Sequence, residues 1–429
     1  MSLTALGFVG VYGLGLFLTF WRHPVFGLLT YLWAFYNHPP DRWWGASLPE
    51  IRWSLLAAVI TLIATMLRKA DVARSPCYRN SGAIVLVCFT LWMFIQSIWA
   101  INPAHSEGTL LFVKYVMLFY VIYKILSDEA TIELFSWAHV IGCFIFGWIA
   151  FGDPVIGRLE TVGGPGVDDA NVLGAHLITG VAFAGFLFLG AQQKRRWIAL
   201  GTIPFVINAI ILTRSRGAFV GLLAAGVAAW YLAPRTNRRL LYVVAPLALV
   251  LFQSLADTGF WERMDTIQVR APNEVEDISA QTRIEVLKAN MRMFEDYPMG
   301  VGYRGNVVLS SRYMDPKLFA SGTDIRSAHN TTMAILVDHG IIGGILFATL
   351  GIWVAHTLWR LKSLDRLGLS SSLGTYRAAI GASLAGLLVS GQFINLLTAE
   401  VQIWMIAMLA ALNSVCHGSL TDGNGLSRS

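Results

Sequence analysis

Charge and cysteine are both scarce in this 429-residue sequence. Only 14% of the residues are charged, whereas 55% are hydrophobic. Soluble domains carry about 25% charged residues, so the shortage excludes an ordinary soluble protein and predicts a membrane protein. The four cysteines are Cys77, Cys88, Cys143 and Cys416, and they form no CxxC pair. Neither a disulfide framework nor a zinc site is therefore predicted.

The hydrophobic residues form runs that approach the ~20 residues a helix needs to cross a bilayer. These runs occupy residues 4–20, 51–67, 82–101, 108–126, 130–151, 170–190, 196–213, 216–233, 238–255, 329–359, 376–392 and 397–415. A further apolar run at 25–36 is shorter. We predict an all-α polytopic membrane protein with about 12 transmembrane helices, or 13 if the short run crosses. The N-terminus lacks a basic segment and a cleavage site, which predicts a retained first span.

The predicted spans divide the chain into four regions. An N-terminal transmembrane bundle covers 1–255, a long polar loop 256–328, further transmembrane helices 329–417 and a disordered cytoplasmic tail 418–429. Basic residues cluster in alternate loops, around 68–79, 124, 194–196, 235–239 and 360–377. The positive-inside rule makes these loops cytoplasmic, so the polar loop faces the other side of the membrane, which is the periplasm if the host is Gram-negative. This pattern explains the net charge of +6, and nucleic acid is not an expected partner.

Three arginines lie on the side where basic residues are otherwise rare: Arg158, Arg214 and Arg216. Arg216 belongs to TRSRG, a turn between two predicted spans. The helix that follows offers unpaired N–H groups, and a guanidinium beside them suits a phosphate. Snorkelling at the interface is the alternative for any single arginine. Three together favour an anion site.

The polar loop contains a predicted helix and a glycine-rich turn. Apolar residues at helical spacing predict an amphipathic helix from about Ser279 to Glu295, ending before Pro298. Its polar side offers Arg283 and Lys288. The sequence GVGYRG at 300–305 matches G-x-G-x-x-G, but no strand precedes it, so a dinucleotide fold is excluded. These glycines predict a turn that carries Arg304. This turn either lies near an anion or is purely structural.

The segment 328–344 (AHNTTMAILVDHGIIGG) opens an apolar helix with two histidines. His329 and His339 lie near one helix face, because ten residues is close to three turns. An ionisable residue inside an apolar span is costly in lipid, so His339 is the strongest candidate for function. The alternative is a histidine bonded to a neighbouring helix. His329, nearer the water, is expected to be structural, because the tripeptide at 328–330, which includes Asn330, predicts a helix start.

A metal site is a competing possibility on the same side of the membrane. Asp153, Glu160, Asp168 and Asp169 are carboxylates of the kind that bind Mg²⁺. The alternative is that Asp168 and Asp169 cap the helix that starts near Asn171. We expect neither a metal nor a cofactor.

Four stretches in this order resemble the O-antigen ligase family, which is related to O-antigen polymerases and to O-glycosylation ligases associated with exosortase systems. They are GRLETVGGPGVDDANVLG (157–174), TRSRGAFVG (213–221), TRIEVLKANMRMFEDYPMGVG (282–302) and AHNTTMAILVDHGIIGG (328–344). The resemblance implies a GT-C-like glycosyltransferase of the bacterial inner membrane with its active site facing the periplasm. A glycan would move from undecaprenyl diphosphate to a sugar hydroxyl of lipid A-core, without a metal.

The resemblance also assigns roles to residues. The family's helix-borne histidine corresponds to His339 and its turn arginine to Arg216. The family often has an aromatic after the loop-helix arginine; here Leu287 follows. A histidine suits a general base near neutral pH, and arginines suit a leaving diphosphate. Further expected site residues are Arg158, Arg214, Arg283, Lys288 and Arg304 for the diphosphate, with His329, Asn330 and Asn171 in support.

Rival functions differ in acceptor or in class. An O-antigen polymerase or a protein O-oligosaccharyltransferase would use the same chemistry on another acceptor. A flippase for lipid-linked glycans would predict inverted repeats with Gly- or Pro-broken helices in both halves. The sequence shows no such repeat, and its polar candidates cluster on one side. This pattern favours an enzyme, with membrane lipids as its surroundings.

Overall fold

A computed structural model of the protein describes residues 2–73, 75–152, 157–160, 162–164, 166–190, 194–256, 258–265, 278–315, 326–367 and 371–426. These residues form α-helices joined by turns and short 3-10 helices, with no strand among them. The first helices are α1 (Leu3–Trp21), α2 (Val25–Asn37), α3 (Trp53–Leu67), α4 (Ser81–Gln96), α5 (His105–Ile125), α6 (Glu129–Gly152), α7 (Ala170–Gly190), α8 (Arg195–Leu212) and α9 (Arg216–Leu232). They are followed by α10 (Arg235–Leu255), α11 (Thr258–Asp265), α12 (Ile278–Asp296), α13 (Gly305–Tyr313), α14 (Thr331–Ser363), α15 (Ser371–Ser390) and α16 (Glu400–Leu426).

Seven of these helices are long and apolar enough to cross a membrane: α1, α5, α6, α7, α8, α14 and α15. Three shorter apolar helices are α3, α4 and α9. The predicted all-helical membrane architecture is thus confirmed, whereas the total of about 12 spans stays a prediction. In the polar loop, α12 covers the predicted amphipathic helix and ends before Pro298. Near the C-terminus, α16 continues to Leu426. It therefore extends into the segment from 418, which the sequence predicts to be a disordered tail.

The turns with Arg158, Arg214 and Arg216 meet at one end of the bundle, which we call the arginine end. Leu159 N donates to Leu212 O at 2.9 Å, which joins the segment before α7 to the end of α8. The C-terminal end of α15 joins two further helices: Ser390 Oγ donates to Gly217 O at 3.2 Å. The following residue's carbonyl accepts from Thr331 N at 2.7 Å. The starts of α9 and α14 therefore lie against the same turn.

The basic loops gather at the opposite end. Lys124 Nζ donates to Ala73 O at 2.6 Å, which joins the loops after α3 and α5. Arg377 is buried and donates from Nη2 to Leu232 O and to Asp365 Oδ2, both at 2.8 Å. The loops predicted to be cytoplasmic thus share one end, and the three unexpected arginines lie at the other.

Candidate functional site

The turn between α8 and α9 is held by side chains from two other segments. Arg158 Nε donates to Thr213 O at 3.0 Å, and its Nη2 donates to Asn171 Oδ1 at 2.8 Å. Ser215 Oγ donates to the same Asn171 oxygen at 2.9 Å. Ser215 is also the N-cap of α9, since its Oγ accepts from Ala218 N. Arg158 and Asn171 therefore shape the turn that presents Arg216.

Arg214 and Arg216 leave this turn with different backbone geometry. Arg216 is the first residue of α9, at the positive end of the helix dipole. Arg214 has a left-handed φ of 49°. Its guanidinium packs over Gly259 of α11, where an added Cβ would lie 2.7 Å from Cζ. The structure thus brings Arg158, Asn171, Arg214 and Arg216 together, as predicted for an anion site.

The carboxylates considered for a metal take other partners. Asp169 Oδ1 accepts from Asn171 N at 2.7 Å and from Val172 N at 3.2 Å, so it caps α7. Glu160 Oε1 lies 3.9 Å from Arg158 Nη1. The capping alternative is confirmed for Asp169. Asp153 lies outside the described residues.

His329 and Asn330 lie at the arginine end, at the start of α14. Asn330 is the N-cap: its Oδ1 accepts from Met333 N at 3.0 Å, and its Nδ2 donates to Gln392 O at 3.0 Å. The predicted helix start is confirmed. His329 is exposed and has a left-handed φ of 47°, which is uncommon outside glycine. The cap therefore fixes the backbone on which an exposed imidazole is presented.

His339 has different surroundings, because it is fully buried. Its Nδ1 lies 2.8 Å from Gln96 Oε1. Gln96 Nε2 donates to two carbonyl oxygens, Met299 O and Asp338 O, both at 3.1 Å. Carbonyl oxygens only accept, so the amide nitrogen of Gln96 faces them and its Oε1 faces His339. Because Oε1 can only accept, His339 Nδ1 must carry the proton. Trp92 Nε1 donates to His339 O at 2.8 Å.

The other nitrogen of His339, Nε2, therefore carries the lone pair. It is buried and has no hydrogen-bond partner among the described residues. Phe89 packs edge-on against the ring, with centroids 5.0 Å apart. His329 precedes the N-cap of α14, whereas His339 lies eight residues beyond the helix start at Thr331, about 12 Å along the axis. His339 thus matches the alternative of a histidine bonded to a neighbouring helix, set apart from the half-buried arginines.

α14 is broken beside His339, and the glycine-rich turn at 300–305 fills the break. Gly340 has φ 67° and ψ −166° inside the helix. Backbone N–H groups of the turn satisfy carbonyls freed by the break: Val301 N donates to Val337 O at 3.1 Å and Gly302 N to Asp338 O at 2.7 Å. The match to G-x-G-x-x-G thus marks a structural turn.

Asp338 and Arg304 complete this junction. Asp338 Oδ2 accepts from Arg304 N at 2.9 Å, and its Oδ1 accepts from Asn306 N at 2.8 Å. A buried carboxylate therefore caps α13, with its charge at the positive end of that helix. Arg304 has φ 55° and is exposed. Nearby, burial raises the pKa of the Tyr303 phenol, whose ring packs over Gly108 of α5.

The two α12 residues expected at the diphosphate are less informative. Lys288 is 62% exposed and pairs with Glu285 at 2.9 Å, one turn earlier on the same helix. Exposed pairs of this kind contribute little to stability. The Arg283 side chain lies outside the described residues. The structure therefore does not bring Lys288 to the arginine cluster, and the role of Arg283 stays a prediction.

Several residues of interest escaped the sequence analysis. Arg326 precedes His329 in the same segment, its N donates to Ser310 Oγ at 2.8 Å, and burial lowers the pKa of its guanidinium. Its position beside the histidine helix was the available signal. Gln96 and Asp338 gave none, because their partners lie on remote parts of the chain.

A second polar cluster, also missed, is buried among α2, α6 and α7. Ligand atoms of His139, Cys143 and His176 lie within 4.8 Å of one another, as in a metal site. The Tyr36 hydroxyl lies among them, 2.7 Å from His139 Nδ1 and 2.9 Å from His176 Nε2. Thr179 Oγ1 donates to a carbonyl of α7 at 2.6 Å, so it accepts from His139 Nε2 at 2.9 Å.

The proton positions in this cluster follow from that bond. With its proton on Nε2, His139 accepts the Tyr36 O–H at Nδ1, so His176 Nε2–H donates to the Tyr36 oxygen. Each ring nitrogen that faces Tyr36 is thereby satisfied. His176 Nδ1 remains buried without a partner in the described structure. Tyr36 thus serves as the hub of a polar network inside the bundle.

The comparison with protein families bears on the arginine end. Residues 201–348 match the family model described as O-antigen ligase. The match runs from α8 into α14 and includes Arg214, Arg216, His329 and His339. It supports the resemblance found in the sequence, and with it a function of the ligase or polymerase type. No curated protein matches the chain.

Proposed function

We propose that this protein is an inner-membrane O-antigen ligase that moves a glycan from undecaprenyl diphosphate to a sugar hydroxyl of lipid A-core. The observation that carries the proposal is the cluster at the arginine end. Arg214, Arg216 and the exposed His329 belong to the segment that matches the family model, and Arg158 is hydrogen-bonded to their turn. Cations and an exposed base at one end suit the transfer of a charged, lipid-linked substrate at a membrane surface.

The reaction is a direct displacement. The acceptor oxygen attacks the anomeric carbon, the bond from that carbon to the diphosphate oxygen breaks, and the electron pair leaves with the diphosphate. The acceptor proton passes to a histidine, and the anomeric centre inverts. Arg216, supported by Arg158 and Arg214, stabilises the charge that develops on the leaving phosphate, for which a planar guanidinium is suited. No metal is required by this scheme.

Exposure decides between the two candidate bases. A general base must come within hydrogen-bond reach of the acceptor hydroxyl, and the sugars of lipid A-core approach from the membrane surface. His329 is exposed at the arginine end. His339, the base expected from the sequence, has an available lone pair on Nε2 but is fully buried. We therefore assign the base role to His329, with His339 as the alternative.

The test is in-vitro transfer in EDTA with purified protein, undecaprenyl-diphosphate glycan and lipid A-core. Three histidine variants of α14 are compared: His329→Ala, His339→Ala and, as a control, the exposed His356→Ala. We expect transfer by wild type and by His356→Ala, and loss in His329→Ala with an unchanged melting temperature. His339→Ala is expected to melt earlier, because Gln96 loses its partner.

Each outcome discriminates between proposals. Full transfer by His329→Ala with none by a folded His339→Ala would move the base to His339. Transfer only to a second lipid-linked glycan would indicate a polymerase, and transfer only to a protein would indicate a protein O-oligosaccharyltransferase. Absence of transfer to any acceptor by folded wild type would favour the flippase class. Dependence on a divalent ion, seen as loss in EDTA, would contradict the metal-free scheme.

A further inference from the structure

A cavity lies among α2, α3 and α5, outside the segment that matches the family model. Its volume is about 500 Å³, within the roughly 300–1,000 Å³ of small-molecule sites. Most of its walls are apolar. Its charged lining residues are Arg52, at the start of α3, Lys114, in the middle of α5, and Glu400, at the start of α16.

Lys114 is the unusual member, because a lysine inside a membrane-spanning helix is costly unless it is paired. α5 is a candidate span, and Lys114 lies nine residues from its start, about 13 Å along the axis. Lys114 is exposed. No described residue forms a hydrogen bond or ion pair with its ammonium group, but its charge acts on the Glu400 carboxylate. Glu400 is the carboxylate that lines the cavity, and it already accepts a hydrogen bond from the Tyr31 hydroxyl.

Arg52 and Lys114 line the same cavity, from the start of α3 and from the middle of α5. Helix side chains lean toward the N-terminus of their helix, and the N-terminal end of α5 lies at the arginine end. Arg52 lies at that end too, since the preceding loop is attached there through Arg42 Nη2, which donates to Val162 O at 2.8 Å. The long side chains of Arg52 and Lys114 thus extend with their charged groups toward the same opening of the cavity.

The cavity also opens sideways. Three of its lining residues, Leu55, Val59 and Met117, are 37%, 45% and 48% exposed. They belong to spans whose outer faces meet lipid chains, so an apolar chain can enter between α3 and α5. An occupant with an anionic head at the mouth and an apolar tail along the walls satisfies both features.

We propose that this cavity binds an anionic phospholipid of the surrounding membrane, with its phosphate between Arg52 and Lys114 and an acyl chain along α3 and α5. The excess of two cations over one carboxylate in the lining favours an anion. A bulk phospholipid is favoured over the donor lipid, because the donor's diphosphate has its own cations around Arg216. The binding of an anionic lipid does not depend on the transfer reaction, whereas the choice of a bulk phospholipid over the donor rests on the proposed function.

The test measures lipid binding to purified full-length protein by native mass spectrometry and by melting temperature. The protein is placed in phosphatidylcholine nanodiscs with or without phosphatidylglycerol. Wild type is expected to retain a bound phosphatidylglycerol and to melt at a higher temperature when it is present. Lys114→Gln should lose the bound lipid and more than half of the shift. Lys69→Gln removes an exposed cation at the opposite end and should behave like wild type.

A second variant tests the cavity itself while keeping both cations. Ala58 of α3 lines the cavity and is half-buried, so Ala58→Phe fills it and should abolish retention of the lipid in a folded protein. Wild-type retention by Lys114→Gln or by Ala58→Phe would overturn the proposal. Lys114-dependent binding of an isoprenyl diphosphate, with no phosphatidylglycerol effect, would overturn the assignment to a phospholipid.

Discussion

His329 and His339 are ten positions apart in the sequence, yet their side chains have different surroundings. His339 is locked by Gln96, whose amide also ties two carbonyls near the helix break. A ring held on one nitrogen inside the protein contributes to packing and to hydrogen bonding. His329 faces outward beside the capped start of α14. Catalysis at a membrane surface suits the position of His329. The stability of the junction at the helix break depends on His339.

Arg216 should stabilise the transition state more than substrate binding. Arg216→Ala is expected to lower the transfer rate by about 10²-fold, the usual effect of removing one charge-stabilising donor. Arg216→Lys should restore part of the rate, because it keeps the charge but loses the planar fork. The measurement is kcat for transfer, with Arg22→Ala, an exposed arginine at the opposite end, as control. An unchanged kcat in Arg216→Ala would remove this residue from the mechanism.

The Tyr36 hydroxyl should contribute to the free energy of unfolding, and its removal should leave glycan transfer intact. Tyr36→Phe removes the hydroxyl that bonds His139 and His176 and leaves their ring nitrogens buried without a partner. The expected loss is about 1–3 kcal/mol of unfolding free energy. Tyr78 is 73% exposed, so Tyr78→Phe is the matched control. Thermal unfolding of both variants checks this, and equal melting temperatures would contradict the network.

Single residues also show what a sequence can and cannot reveal. Arg158, Arg214 and Arg216 were identifiable because they break the charge pattern of the loops. The cap formed by Asn330 was identifiable because capping is local. Gln96 was not, since its partners are more than 200 positions away along the chain. Burial of His339 was equally hidden: an apolar run shows that a helix is in the membrane, but not which of its faces is covered.

At the scale of elements, α14 is two helices joined at a glycine. The helix hydrogen bonds lost at Gly340 are replaced by hydrogen bonds to backbone groups of residues 298–302. One of them runs from Ile341 N to Pro298 O at 2.9 Å. The long loop is thereby attached to a membrane helix beside α4. The hydropathy of 329–359 predicted one continuous span, because a break satisfied by another segment leaves no mark on hydropathy.

Substitution at the break tests this arrangement. A Cβ at Gly340 would lie 2.3 Å from Met299 C and 2.5 Å from Pro298 O, and the φ of 67° disfavours any side chain. Gly340→Ala should therefore cost about 2–4 kcal/mol through strain and overpacking. Gly351 of the same helix has open space around its Cα, so Gly351→Ala should be neutral or slightly stabilising. Comparable melting temperatures for the two variants would contradict the break.

At the scale of the whole molecule, the chain sorts its charges between two ends. Loops rich in Lys and Arg meet at one end, and the candidate site lies at the other. Sequence analysis anticipated this separation because loop charge controls membrane orientation, and helix positions followed from hydropathy. The number of crossings did not follow, since short helices such as α2 (13 residues) reveal a crossing only through their contacts.

Those contacts predict a membrane topology that can be measured. Arg68 Nη1 donates to Phe20 O at 2.8 Å, so α1 and α3 end together at the end opposite the site. Ser47 and Ser311, both exposed, lie in segments attached to the arginine end. In a variant without the native cysteines, Ser47→Cys and Ser311→Cys should react with a membrane-impermeant maleimide applied to spheroplasts. Lys69→Cys should react only after permeabilisation.

The reason for this expectation is that exposed positions at the same end of a membrane-embedded bundle share one compartment. The positive-inside rule then assigns the Lys69 end to the cytoplasm. Labelling of Lys69→Cys in intact spheroplasts would invert the orientation and place the arginine cluster beside cytoplasmic substrates. Labelling of Ser47→Cys but not of Ser311→Cys would instead separate α13 from the arginine end, and with it the loop from the candidate site.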